Sequence, residues 1–130
     1  MFKVLKTFNR CRAAEMTLRH GQVRTPVYMP VGTKGAMKGL LPTTMAEEID
    51  CDIMLANTYH LFLKPGEETL TQFKGLHKYA DWPRCFLTDS GGFQIVSLDA
   101  LNKIDEEGVT FKSHIDGREF MLSPERSMEI

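Results

Sequence analysis

No CxxC pair occurs in this sequence. Its cysteines are few and odd in number: Cys11, Cys51 and Cys85. Neither a disulfide framework nor a zinc knuckle is signalled, and reducing, intracellular conditions fit best. No apolar run approaches the length that spans a bilayer. No secretory leader is apparent, because Lys3, Lys6, Asn9 and Arg10 interrupt the first apolar stretch. Internal repeats and low-complexity segments are missing too. The net charge is −1, so the chain as a whole lacks the basic footprint of a nucleic-acid binder. Local patches can still bind, so that absence excludes little. Together these features predict a soluble, cytoplasmic protein. What is present is ordinary in proportion: 42% of 130 residues are apolar and 25% charged, enough for one domain with a real core.

The N-terminal stretch alternates imperfectly, with Met16 and Leu18 on one side and Glu15, Thr17 and Arg19 on the other. His20-Gly21 reads as a turn and Gln22-Val23 as the return, an antiparallel hairpin within residues 1–24. Three continuous apolar runs follow: Val27–Val31, Ile53–Ala56 and Cys85–Thr88. Continuous apolar character marks parallel strands covered on both faces. Pro30 is awkward in a central strand because it donates no ladder hydrogen bond. Thr44 and Glu47 have capping-box spacing, and a helix is expected there, ending before Asp50. Glu67–Lys74 reads as a second helix, with acids in its first turn and Gly75 as its stop. Residues 76–84 read as a polar and aromatic connection. The spacing predicts βαβ units over residues 25–94. Each expected strand ends in polar or glycine residues: Gly32-Thr33, Asn57-Thr58 and Asp89-Ser90. Three sets of polar groups are thereby aimed at one edge of the sheet.

Residues 95–101 read as a short apolar helical turn. Val109–Ile115 alternates, Asp116-Gly117 signals a tight hairpin, and Glu119–Leu122 returns. Ser123 then reads as an N-cap with Pro124 at the first helical position. This inserted hairpin and helix start occupy residues 95–130. A helix that stops within two turns of its start leads to the expectation that the chain is the front part of a larger domain.

Asp89-Ser90-Gly91-Gly92 is the stretch richest in chemical potential. A bare Asp in a turn usually forms an Asx-turn or a helix cap. At the C-terminal edge of parallel strands it also stands where ligands bind. The two glycines let backbone approach a ligand closely.

Asp89-Ser90-Gly91-Gly92-Phe93-Gln94 resembles the corresponding motif of the tRNA-guanine transglycosylases, the queuine tRNA-ribosyltransferase family. So do Thr25–Thr33, Asn57-Thr58-Tyr59-His60-Leu61 with Pro65-Gly66, Glu106–Gly117 and Leu122–Ser127, in the same order. The likeness runs from about Cys11 onward. Phe93 stands where bacterial members commonly have Tyr, so the resemblance leans toward the eukaryotic catalytic subunit. It implies an α/β fold: the N-terminal part of a (β/α)8 TIM barrel, with an N-terminal antiparallel hairpin and a hairpin inserted after the third barrel strand. A full barrel takes about 250 residues.

The implied activity is exchange of guanine for queuine at a tRNA wobble position, by a carboxylate nucleophile and a second carboxylate as general acid and base. By the same resemblance Asp89 is the general acid–base and also contacts the base. Ser90, Gly91, Gly92 and Phe93 line the base pocket, and Asn57 contacts the nucleotide. The bland alternatives are core packing for Phe93 and a strand-end turn for Asn57. His60 is most simply a satisfied structural histidine. His20, His77 and His114 lack metal-ligand spacing. Lys34 and Lys38 could touch phosphate, but surface lysines are common. The family's nucleophile and zinc ligands do not fall in these residues. No cofactor is therefore assigned to this chain, and the isolated chain is expected not to catalyse exchange. The implied partners are tRNA, the queuine or guanine base, and a second or related subunit. Two other readings stay open. One is a truncated isoform or non-catalytic partner of the same complex. The other is an unrelated α/β enzyme using Ser90-Gly91-Gly92 as an anion nest.

Overall fold

The computed structural model describes residues 1–98 and 103–130. It is a mixed α/β structure with three small sheets. The first sheet is antiparallel and contains β1 (Phe2–Phe8), β2 (Cys11–Leu18) and β3 (Gly21–Thr25). The β2–β3 hairpin uses the turn before Gly21. The sequence expectation omitted β1, whose side chains are exposed throughout. A strand with no buried face has no alternation to read.

The second sheet pairs β4 (Ile53–Asn57) with β5 (Cys85–Asp89) in parallel. The expected first parallel strand, Val27–Val31, is not a strand here. It contributes a single parallel bridge, Val31 to Leu55. Flanking hydrogen bonds run from Gly32 N to Leu55 O and from Leu55 N to Pro30 O. Pro30 accepts but has no N–H to give, so the ladder cannot extend through it. Nor is β5 covered on both faces: Leu87 is 37% exposed, whereas β4 is almost wholly buried.

The helices also depart from expectation. The helix expected at Thr44 is one π-helical turn, Thr44–Glu48, with no side-chain cap. Thr43 already has helical backbone there, so the hydroxyl geometry of a capping box is not reached. A helix α1 (Thr58–Leu63) follows β4 without a loop, capped by Asn57, whose Oδ1 accepts from His60 N at 3.1 Å. Then come α2 (Glu67–Gln72) and α3 (Leu76–Tyr79). The second lies in what reads as a connection, because four residues are too few for periodicity to register.

After β5 comes α4 (Gly92–Leu98); residues 99–101 of the turn expected at 95–101 lie outside the described residues. The third sheet holds β6 (Lys103–Ile104), β7 (Val109–Lys112) and β8 (Glu119–Leu122), all antiparallel. The β7–β8 connection is wider than the two-residue turn read from Asp116-Gly117. Ser113 N bonds Arg118 O, and Ser113 Oγ accepts from Ile115 N and Asp116 N. That serine holds the chain in a six-residue loop. Ser123 caps α5 (Pro124–Glu129) by accepting from Arg126 N at 3.1 Å.

Three apolar clusters hold these pieces together. Val23, Ile53 and Cys85 join the N-terminal sheet to the first residues of β4 and β5. Met45, Ala46, Cys51, Met54 and Trp82 pack on the opposite face of β4. Tyr59, Ile95, Phe111 and Leu122 join α1 and α4 to the third sheet. The N-terminal sheet thus closes the start of the parallel strands and leaves their C-terminal ends free for a site.

One joint between these parts is titratable. The His20 ring stacks on His77 of α3 with centroids 3.5 Å apart and planes 13° from parallel. Burial, and then the neighbouring His20, hold the His77 pKa below its usual value. The unfolded chain therefore binds a proton on His77 at a higher pH than the folded chain does. This part of the stability is complete above about pH 6.5, the usual imidazole value, and is lost as pH falls below it. Urea midpoints measured from pH 8 to pH 5 should decline. In His77→Gln the decline should be shallower, and an unchanged slope would remove His77 as its cause.

Candidate active site at the ends of the parallel strands

Parallel register sets Asn57 beside Asp89 and Leu55 beside Leu87, so each pair shares a face of the sheet. Asn57 N bonds Thr33 O. The three polar strand ends expected from sequence, Thr33, Asn57 and Asp89, are therefore neighbours.

The Asp89 carboxylate is half-buried and held from three directions. Oδ1 accepts from Thr58 N at 3.2 Å and from Gly91 N at 3.0 Å. Oδ2 accepts from Asn57 Nδ2 at 2.6 Å. A hydroxyl hydrogen bond from Thr58 Oγ1 to the Asp89 carbonyl pins the backbone as well. The Gly91 bond is the Asx-turn that the bland reading anticipated. It coexists with the other contacts, so the same acid is both turn former and oriented carboxylate. A carboxylate offers about four lone-pair positions. Three donors leave one for a ligand.

Asn57 is only 4% exposed, and both ends of its amide are engaged. Its oxygen caps α1 and its nitrogen holds Asp89. In this arrangement it touches the acid.

Gly91 has φ of +73°, and a Cβ there would come within 2.7 Å of both Tyr59 N and Tyr59 Cβ. The glycine is required by the close approach of the loop to α1. A Cβ on Gly92 would meet only Ser90 Oγ, at 3.5 Å. Phe93 is 78% exposed, so core packing among the described residues does not account for it. Ser90 is exposed, and its carbonyl accepts from Ser127 Oγ of α5 at 2.8 Å.

A cavity of about 520 Å³ lies against this loop, between α1, α2 and α5. Asp89 and Ser90 line it, together with Thr58, Leu61, Glu67 and Leu70. Asn57, Gly91, Gly92 and Phe93 do not. Glu67 is paired with Arg126 and so closes one wall. Ser127 was not expected at the site, and Thr58 was expected only as part of the polar strand-end edge. Thr58 follows an Asn at a strand end, a position that could have been read as the first residue of a capped helix. Ser127 carries no comparable signal, because it reaches Ser90 only through folding.

Among the described residues, no group of three or more His, Cys, Asp or Glu side chains is placed to hold a metal ion. These described residues do not fit a zinc site, and no chemical step here involves one. Among the same residues, no helix is long and apolar enough to cross a membrane.

Comparison with known proteins agrees with the motif order. The sequence profile described as "Queuine tRNA-ribosyltransferase" matches residues 8–130. The queuine tRNA-ribosyltransferase of Lachnospira eligens is 53% identical over 130 residues, covering all of this chain and 34% of that protein. That of a Psychrobacter species is 54% identical over 122 residues, 94% of this chain and 32% of its own length. That of Clostridium botulinum is 51% identical over 130 residues, the whole of this chain and 35% of its own length. These relatives are bacterial and do not single out the eukaryotic branch. The chain spans about a third of their length. With a profile match over residues 8–130 that takes in the strand-end acid and its glycine loop, the chain belongs to the queuine tRNA-ribosyltransferase family.

Proposed function

We propose that this chain supplies the acid–base half of a site that exchanges guanine in tRNA for queuine. The observation that carries it is Asp89: a half-buried carboxylate, fixed by three donors, at the C-terminal end of a parallel strand pair. Breaking a glycosidic bond sends the electron pair out with the purine, which needs a proton. The incoming base must lose one. Asp89 gives the first from its protonated form and, as the carboxylate that remains, receives the second, ending as it began. A second carboxylate, which the family resemblance puts in a later strand, attacks ribose C1′ and holds it between the two steps. Ser90, Gly91, Gly92 and the exposed ring of Phe93 flank the base, and the ring is free to stack on a heterocycle. Asn57 acts through Asp89 as a positioning residue.

The fold supports a (β/α)8 barrel for this reading. Val31, Leu55 and Leu87 stand side by side at one height, with Thr33, Asn57 and Asp89 a step above. Layers of this kind fill such barrels, and the free strand ends form their active face. In this reading residues 1–24 form the N-terminal hairpin region, 25–94 the first three barrel strands, and 95–130 the inserted hairpin and next helix start. The partners are tRNA, the queuine or guanine base, and a second copy or a related subunit, in the cytoplasm.

Calorimetric titration of guanine into the chain tests the site. Saturable binding is expected, weakened about tenfold or more in Asp89→Ala, the scale of a hydrogen bond to a charged group. No heat from a folded wild-type chain overturns the assignment. The chain alone should give no exchange of labelled guanine into tRNA, since the nucleophile is assigned elsewhere.

A further inference from the structure

A second pocket lies beside the first site and has a different character. It measures about 550 Å³ and is lined by Lys34, Lys38, His60 and His114, with Val31 and Thr33 joining it to the strand ends. Among the described residues that line it there is no Asp or Glu. Neither lysine has an ion-pair partner among the described residues. Two lysines and two imidazoles thus face one space with no counter-charge in its walls.

The imidazoles are placed by the fold. His60 sits on α1, its backbone N–H tied to Asn57. His114 sits in the β7–β8 loop, its Nδ1 3.1 Å from the Tyr59 hydroxyl. The two rings are 6.2 Å apart, edge to face. Burial first, then His114, then Lys34 hold the His60 pKa below its usual value, while Asp89 opposes them. His60 therefore feels both the basic pocket and the catalytic candidate. Lys34, Lys38 and His114 are exposed and His60 is half-buried, so these basic groups stay open to an anion arriving from solvent.

We propose that Lys34, Lys38, His60 and His114 form a phosphate-binding site. The compact lysine ammoniums supply charge, and the imidazole N–H groups supply direction. Its occupant is a phosphate group, either free or as the diester of an RNA strand. The diester form rests on the tRNA reading above: a base held at Asp89 would bring its neighbouring backbone phosphate to the far side of His60. Contacts of this kind set register without reading sequence.

The chain carries its own control, because its four histidines divide into His60 and His114 at the pocket and His20 and His77 at the stack. Ring proton resonances of all four are followed by NMR at constant ionic strength. One arm adds inorganic phosphate in place of chloride; the other adds a five-nucleotide single-stranded RNA. Saturable shifts at His60 and His114, with His20 and His77 still, are expected in both arms. Lys34→Gln/Lys38→Gln should raise the midpoints roughly tenfold or more, the effect of losing hydrogen bonds to a charged group. Lys34→Arg/Lys38→Arg should keep binding, and the His20–His77 signals show whether each variant is folded. Saturation by inorganic phosphate alone supports the site but assigns it to free phosphate. No saturable shift in either arm, or equal shifts in all four histidines, overturns it. Guanine binding at Asp89 is measured separately, so failure of one does not imply failure of the other.

Discussion

Exchanging the partners of one hydrogen bond should separate the stability of this site from its chemistry. In Asp89→Asn the new amide can still accept from Thr58 N and Gly91 N through Oδ1. Its nitrogen then faces Asn57 Nδ2, a donor against a donor where the wild type has a 2.6 Å bond. Asn57 cannot turn over to relieve this without losing its cap on His60 N. The single variant should lose about 1–3 kcal/mol, the cost of a buried donor left unpaired. Asn57→Asp alone brings two carboxylates together and should also destabilise. Combined, the two substitutions restore a donor facing an acceptor and keep the cap. Urea unfolding of all four proteins should show a coupling of this sign, with the double variant more stable than either single. Activity should not follow. In a full-length family member carrying the equivalent swap, exchange should stay about 10²–10⁴-fold down, because the acid has moved one strand away. Recovery of exchange along with stability would show that the position of the acid does not matter.

Gly91→Ala should be among the most damaging single substitutions in the chain. The residue sits at φ +73°, and its added methyl would meet the Tyr59 backbone nitrogen and Cβ, each at 2.7 Å. Neither neighbour is the free end of a flexible chain. Tyr59 is 1% exposed and belongs to the cluster with Ile95, Phe111 and Leu122. Strain and overpacking together should cost about 2–4 kcal/mol. Relief can come only by moving the loop, which would pull Gly91 N from Asp89 Oδ1. Guanine affinity should therefore fall further than for Gly92→Ala, whose methyl meets only Ser90 Oγ. Equal stability of the two variants by urea denaturation would contradict the close packing on α1.

Several features were legible from residue order alone. The apolar runs at Ile53–Ala56 and Cys85–Thr88 become the parallel pair β4 and β5. Their ends bring Asn57 beside Asp89, and Ser123 caps α5 as its spacing requires. These succeed because burial and capping are local properties with a period or a spacing. The misreadings have the opposite character. Pro30 reduced the first parallel run to a bridge, because one missing donor outweighs four apolar neighbours. The helix α1 was hidden by reading Asn57-Thr58 only as a strand end, although the same Asn serves as its cap. The tight turn expected at Asp116-Gly117 became a wider loop, because Ser113 satisfies backbone groups that a two-residue turn would have paired.

Residue identity and order suffice for the family, the strand-end acid and the glycine loop beside it, and no contact is needed to read them. How the acid is held emerges only on folding. Oδ1 receives two backbone donors and Oδ2 receives Asn57, a residue 32 positions away that becomes a neighbour only through parallel register. Structure likewise turned two scattered lysines and two histidines into one pocket. Parallel pairing and loop packing join residues far apart in sequence, and spacing along a chain does not encode which distant side chains will meet.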